Sequence, residues 1–543
     1  MEQQDLHKRL LLALVLSFVV LLGFNYLMPK PPQQNESNRT KAVAGAASTP
    51  VATSSNAAPK SLSVATAETA AVKQPKALGT AGKSETLSII TAKNYIIKID
   101  KLGRISSTQL LKEKYRDEEG NYLELFDPAR TLPLELRFSD STVNAEAFQV
   151  PYTASVDKIS VGDRAQTLIL TQTLSGITVV KKLTFYADGH YDIDLSTSKK
   201  ATFFLTPGRR PETDHSMYMI VRGALVRDTE GILTTVEDGK AEKAEVVDHA
   251  TIVSSFDRYD ASLFYNFDTP MHATISVDAG DKPLPFVKGT QALSLHGYVG
   301  PKEWRTFEAI HPDLVNAIEF GWFTFLSKPF FRVMLWIDDF VGNWGWAIIL
   351  FTLLVKLILF PLSYKGMMSM NKMRDLAPKM KELKEKYGKD PAKMNQQTMA
   401  MYKKHGANPM GGCLPMLLQI PVFFALYRVL LNADELQGAP WIGWIVDLSD
   451  KDPFYILPVL MGVSMFFQQK ITPNTMTDPM QKKIFQWFPV IMTFFFLTFP
   501  AGLVLYWLTN NLLSIAQQYF INVSYEKYKN TMKHLHSAGK EKE

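Results

Sequence analysis

A lysine inside an apolar run is the first residue that could do chemistry in this chain. In "LLVKLILFP", residues 353 to 361, Lys356 is the single charge among leucine, isoleucine, valine and phenylalanine. An ionisable group well inside a membrane span costs a few kcal/mol, so it must face protein, water or an interface rather than lipid. Thr352 lies one turn earlier on the same helical face, and Gln419, Asn510, Asn511, Ser514, Gln517 and Gln518 recur in two later apolar stretches. Together they can line one hydrophilic cavity, in which an uncancelled cation attracts an anion. Polar residues also join helices by hydrogen bonds, which is the competing reading for some of them. A second competing reading is depth: with Leu362 at the inner edge, Lys356 sits about 9 Å down, within reach of a lysine that snorkels to the interface. No carboxylate lies inside any apolar stretch to relay a proton, which argues against a pump.

Other chemistry is thin. Cys413 is the only cysteine, so an intrachain disulfide and a cysteine metal cluster are excluded. "ALGTAGKS" (77 to 84) satisfies a relaxed phosphate-loop pattern, yet it follows no buried strand and opens no helix. The expectation is a protein that is not an enzyme and takes no metal or cofactor.

The elements that position these residues are long and apolar. Six windows, Leu10 to Met28, Trp344 to Leu362, Cys413 to Leu431, Phe454 to Gln469, Ile484 to Phe499 and Leu503 to Ile521, are nearly uncharged and approach the length that crosses a hydrocarbon core of about 30 Å. The first could instead be a cleaved signal peptide, but no A-x-A-like site follows closely. Lys and Arg close to the spans set orientation. Between the second and third windows stand eleven Lys and Arg against four acids, whereas Asp434, Glu435, Asp447, Asp450 and Asp452 face only Lys451 in the next loop. Both termini are therefore expected inside and residues 30 to 343 outside, in a periplasm or its equivalent.

The divisions follow from composition. Residues 1–29 form an anchor. Residues 30–85, rich in Ala, Ser, Thr, Pro and Gln without an aromatic, form a disordered tether. Residues 86–312 alternate with period two and β-branched enrichment, as in "QTLILTQTL" and "ITVVKKLTFYA", which predicts antiparallel strands in one large β-sandwich. Residues 313–340 read as an amphipathic helix pair around Pro329, lying in the outer interface. Within the core at 341–521, residues 363–410 carry a cytoplasmic helical hairpin, with Met373, Leu376, Met380, Leu383 and Tyr387 answered by Met394, Thr398, Met401 and His405. Those methionines form the hairpin's seam or an adaptable client surface. The basic tail at 522–543 enforces orientation or touches ribosomal RNA.

Several stretches resemble the YidC/Oxa/Alb family of membrane protein insertases. They are "NWGWAIILFTLLVKLILFPLSYKGMMSMNKMRDLAPKM", "NPMGGCLPMLLQIPVFFALYRVLL", "DPFYILPVLMGVSMFFQQKITP", "DPMQKKIFQWFPVIMTFFF" and "FPAGLVLYWLTNNLLSIAQQ", in order across residues 340 to 521. The resemblance implies a multi-pass α-helical protein of the bacterial inner membrane, with six spans of which five form the core, and a periplasmic β-supersandwich. It implies a cationic groove open to cytoplasm and lipid. The groove position falls on Lys356, where relatives typically have arginine. Thr352 matches a client-touching position, and Trp507 one where tyrosine is usual. Ile420, Pro421, Phe423 and Phe495 match an apolar slide. The implied partners are nascent membrane proteins, the Sec translocon and its accessory subunits, the ribosome and membrane lipids.

Overall fold

The computed structural model describes residues 85–540 apart from 117–118, 215, 217, 219, 279, 389, 407–413 and 473–478. The expected first span, the tether with "ALGTAGKS", Cys413 and the last three residues lie outside the described residues. Contacts divide the chain into two units, and the outer part of the expected hairpin, 381–399, belongs to the smaller one. Apart from residues 381–399, the features below belong to the larger.

From Thr86–Thr91 to Ala292–Pro301 the period-two pattern becomes strands. Ile177–Phe185 buries Ile177, Val179, Lys181, Leu183 and Phe185 and turns the residues between them outward. The lysine in that inward row is satisfied by two carbonyls, Gly103 O at 3.0 Å and Leu134 O at 2.8 Å, and burial pushes its ammonium down to about 7. Four strands form a small sheet and 13 form a large one. The strand Glu245–Phe256 explains how the large sheet folds into a sandwich. Its first half pairs with Met271–Asp278 and its second half with Asp260–Tyr265 and Gly223–Asp228. Between the halves the register shifts and His249 adopts φ 61°, a bulge-like bend that lets one strand serve two neighbourhoods.

The described helices are α1 (Ser141–Ala147), α2 (Trp304–Ile310), α3 (Thr324–Val341), α4 (Trp344–Ile358), α5 (Phe360–Tyr387), α6 (Pro391–Lys404), α7 (Leu414–Asn432), α8 (Ile456–Ile471), α9 (Pro479–Phe496) and α10 (Ala501–Lys540). The expected helix pair at 313–340 is a single helix, α3, preceded by 3-10 turns at Pro312–Ala317 and Gly321–Phe323. Pro329, the sixth residue of α3, gives up its bond to the Phe325 carbonyl yet stays within the helix. α3 buries Phe331, Met334, Leu335 and Ile337 yet leaves Phe325 74% and Phe340 85% exposed.

The window Trp344 to Leu362 is not one helix. α4 ends at Ile358, α5 starts at Phe360, and the two meet at 65°. Pro361 has no N–H for the carbonyl four residues back, and its ring crowds that carbonyl, so the helix breaks there. Among the described residues no single helix is long and apolar enough to cross a membrane by itself; that bent pair meets the length and composition, and Gln419–Asn432, Ile456–Ile471 and Lys483–Phe496 are shorter apolar helices. α10 runs 40 residues, carrying the last apolar window straight into the basic tail. In α6, Met394, Thr398 and Met401 are half-buried, as is His405 just past its end, while Met399 is exposed.

The β region is clamped to the acidic loop after α7. Lys114 Nζ pairs with Asp434 Oδ2 at 2.6 Å and with Glu303 at 3.5 Å, Tyr115 donates to Asp434 Oδ2 at 2.9 Å, and Lys112 pairs with Glu303 at 2.9 Å. The Trp304 N–H donates to Glu435 Oε1 at 2.7 Å, and Arg258 Nε donates to Leu431 O at 2.7 Å. Burial, then Asp434 and Glu303, push the Glu435 carboxyl up to about 8, and burial pushes Asp260 up to about 7. Two of the acids that the sequence reading counted in an outer acidic loop are thus held by partners, Asp434 buried and Glu435 half-buried, and the loop is fixed.

Candidate functional site

α4 sets out from Asn343, whose Oδ1 accepts the Trp346 N–H at 3.2 Å. Its last turn carries Lys356, just before the break at Pro361. The break disturbs the backbone ladder there, and Gln517 Nε2 of α10 donates to the Lys356 carbonyl at 3.5 Å. The Lys356 side chain is half-buried, and its Nζ donates to Ser514 Oγ at 2.7 Å. Ser514 passes its own proton to Asn510 O at 2.7 Å. Among the described residues Lys356 forms no ion pair.

The lysine borders a recess enclosing about 430 Å³ with its open mouth, lined by residues of α4, α5, α7 and α10, Gln419 and Asn510 among them. Gln419 Nε2 donates to Asn510 Oδ1. Thr352 also lines the recess but is buried, and its hydroxyl donates to Ile348 O at 2.7 Å, so it is not a free donor. No lining residue is acidic. The recess therefore has one cation, neutral polar walls and aliphatic residues at its rim.

Of the sequence-selected residues, Lys356, Thr352, Gln419, Asn510 and Ser514 come together. Trp507 does not line the recess: its ring meets Phe423 edge-on at 4.7 Å and Phe496 at 5.1 Å. The residue of that pair on the recess wall is Tyr506. Spacing could have found it, since Tyr506, Asn510 and Ser514 repeat at i, i+4 on one face. The slide residues divide as well. Ile420 is exposed, Pro421 and Phe423 are half-buried, and Phe495 packs with Phe499 at 4.8 Å and Phe496 at 5.5 Å. Phe424, absent from the sequence selection, is exposed and stacks on Phe323 at 5.8 Å. Among the described residues no group of three or more His, Cys, Asp or Glu can hold a metal ion.

Residues 336–529 match the family described as 60Kd inner membrane protein, and residues 250–333 match the YidC periplasmic domain. Among curated relatives, a protein of Campylobacter jejuni named "Membrane protein insertase YidC" is 47% identical over 96% of this chain and 96% of its own. Proteins of the same name from Wolinella succinogenes and Helicobacter pylori are 45% identical over 97% of both chains and 42% identical over 99% of this chain and 100% of the relative.

Proposed function

Because the chain belongs to the YidC family of membrane protein insertases, we propose that the recess beside Lys356 is where an incoming client is first held. The protein is an inner-membrane insertase with a periplasmic domain, and its substrates are nascent membrane proteins. In the proposed topology six spans place both termini in the cytoplasm, residues 30 to 343 in the periplasm, and the hairpin at 363–410 on the inner side. Five spans form the core around a groove open to cytoplasm and lipid.

The observation that carries the reading is Lys356 itself, a half-buried cation held by a serine hydroxyl and, among the described residues, by no carboxylate. A charge so placed keeps most of its field for an arriving anion, because low surrounding polarity weakens screening. The acidic extracellular segment of a client enters the recess and supplies the missing counter-ion. Its apolar helix leaves for lipid along Ile420, Pro421, Phe423, Phe424 and Phe495. Burying that helix releases about 25 cal/mol per Å², and the membrane potential helps acidic segments outward. No nucleotide and no covalent step is needed. Lysine lacks the planar fork that grips a carboxylate bidentately, so the client is held loosely and released readily. Thr352, Gln419, Asn510 and Ser514 keep the recess wet, and Trp507 steadies Phe423 from behind. The chain acts alone or beside the Sec translocon, and the basic tail offers the ribosome a contact.

Site-specific photo-crosslinking of a stalled nascent single-span protein tests this. Probes at 356 and 423 should capture the client, and a probe at exposed Val246 in the β region should not. Capture at 246 with none at 356 would remove the recess from the pathway.

A further inference from the structure

The polar stripe of α10 does not stop at the recess. Beyond Ser514 it continues along one face in steps of three or four residues, through Gln518, Asn522, Tyr525 and Lys529. That face grips α5. Asn371 Nδ2 donates to Asn522 Oδ1 at 2.9 Å, and Gln518 Nε2 donates to the same oxygen at 2.8 Å. Asp375 accepts from the Tyr525 hydroxyl at 3.0 Å and from Lys529 Nζ at 2.7 Å. Arg374 adds a pair with Glu526 at 3.0 Å. That last pair is exposed and contributes little. Asn371 is wholly inaccessible, with Ile521 and Tyr525 buried as well, so the amide pair and the twice-served carboxylate are what fix the register. Burial pushes the Asp375 carboxyl up, but Lys529 and Tyr525 more than offset this and hold it below the usual carboxylate range, so it is ionised.

Something must hold α5 in place. At Pro361 the backbone ladder is interrupted; Ser363 N–H still reaches back to Leu359 O at 3.0 Å, but a helix bent at proline has few bonds of its own to fix the angle beyond the break. α10 touches both sides of it: Ser514 and Gln517 hold Lys356 before the break, and Asn522, Tyr525 and Lys529 hold α5 after it. We propose that the inner half of α10 is a splint across the α4–α5 break, with Asn371, Asp375, Asn522 and Tyr525 as positioning residues that fix the inner mouth of the recess. The proposal rests on the insertase reading and adds a separate requirement to it. Lys356 selects by client charge, whereas the splint sets the mouth for every client alike.

The test uses the full chain reconstituted in lipid vesicles and two single-span clients, one with an acidic outer tail and one with a neutral tail. Asn371→Ala with Asn522→Ala should slow both clients to the same degree, by about five-fold, as misplacement rather than lost charge requires. In a Cys413→Ser background, Asn371→Cys with Asn522→Cys should be equally slow until a short bis-methanethiosulfonate bridges the thiols, and then return to within about two-fold of the unmutated rate. A double alanine chain that inserts at the normal rate overturns the splint. So does a bridged chain that stays as slow as the unbridged one, or a loss confined to the acidic client. If the unmutated chain inserts neither client, the insertase reading fails instead.

Discussion

Ser514 is the side chain that meets the Lys356 ammonium, and a serine hydroxyl leaves the charge uncancelled. The neighbouring wall is amide, hydroxyl and aliphatic, so an arriving carboxylate meets a cation already stripped of part of its water. Two substitutions separate the bond from the charge. Ser514→Ala removes the hydrogen bond and keeps the cation, and insertion of an acidic-tailed client should stay within about two-fold of normal. Ser514→Asp installs an internal counter-ion and should slow the same client about ten-fold while sparing a neutral-tailed one. Equal rates for Ser514→Asp and the unmutated chain would mean that the vacancy beside Lys356 is irrelevant. At this scale much was legible in the sequence, because a lysine in an apolar run and a polar i, i+4 stripe are one-dimensional signals. Trp507 came from the resemblance and not from that stripe: neighbours in sequence point about 100° apart on a helix, and that rotation puts Tyr506 on the recess and Trp507 into the aromatic cluster.

Helix contacts in the core depend on small residues. A Cβ placed on Gly462 of α8 would lie 1.9 Å from Thr493 Oγ1 of α9, whose hydroxyl already donates to Pro489 O. Gly462→Val should therefore destabilise the pair by about 1–3 kcal/mol through overpacking, read as a lower unfolding midpoint in detergent, with Gly462→Ala falling between. An unchanged midpoint for Gly462→Val would show that α8 and α9 separate freely. The windows at 454 to 469 and 484 to 499 coincide closely with α8 and α9 because unbroken apolar runs specify such helices well. The helix break after Ile358 was hidden for a related reason: hydropathy continues across Pro361 although the helix axis turns by 65°. Only the proline itself carries that information, and an interior proline does not always break a helix, as Pro329 in α3 shows.

Across the whole molecule the β region and the loop after α7 are joined through buried charge, a feature that composition could not reveal. Net charge by loop counts Asp434 and Glu435 only as part of an outer acidic loop; only the folded chain brings Lys114 and Trp304 to them across more than a hundred residues of sequence. The raised carboxyls of Glu435, about 8, and Asp260, about 7, mean that the folded joint binds more protons than the separated parts. Stability from these groups is therefore full below the ordinary carboxylate range and is lost as pH rises through 7 to 8. Thermal unfolding of the joint should shift downward between about pH 6 and pH 9, and Glu435→Gln, which mimics the neutral acid, should flatten that slope. A slope unaffected by Glu435→Gln would assign the titration to other groups. The same joint fixes the loop that connects α7 to α8, whereas insertion turns on what Lys356 does in the recess. The direct measurement is the initial insertion rate of an acidic-tailed single-span client into vesicles carrying the unmutated chain, Lys356→Arg or Lys356→Ala. The account predicts a rate for Lys356→Arg at least equal to the unmutated one and a drop of about ten-fold for Lys356→Ala, with a neutral-tailed client much less affected; a normal rate for the alanine chain with the acidic client would contradict it.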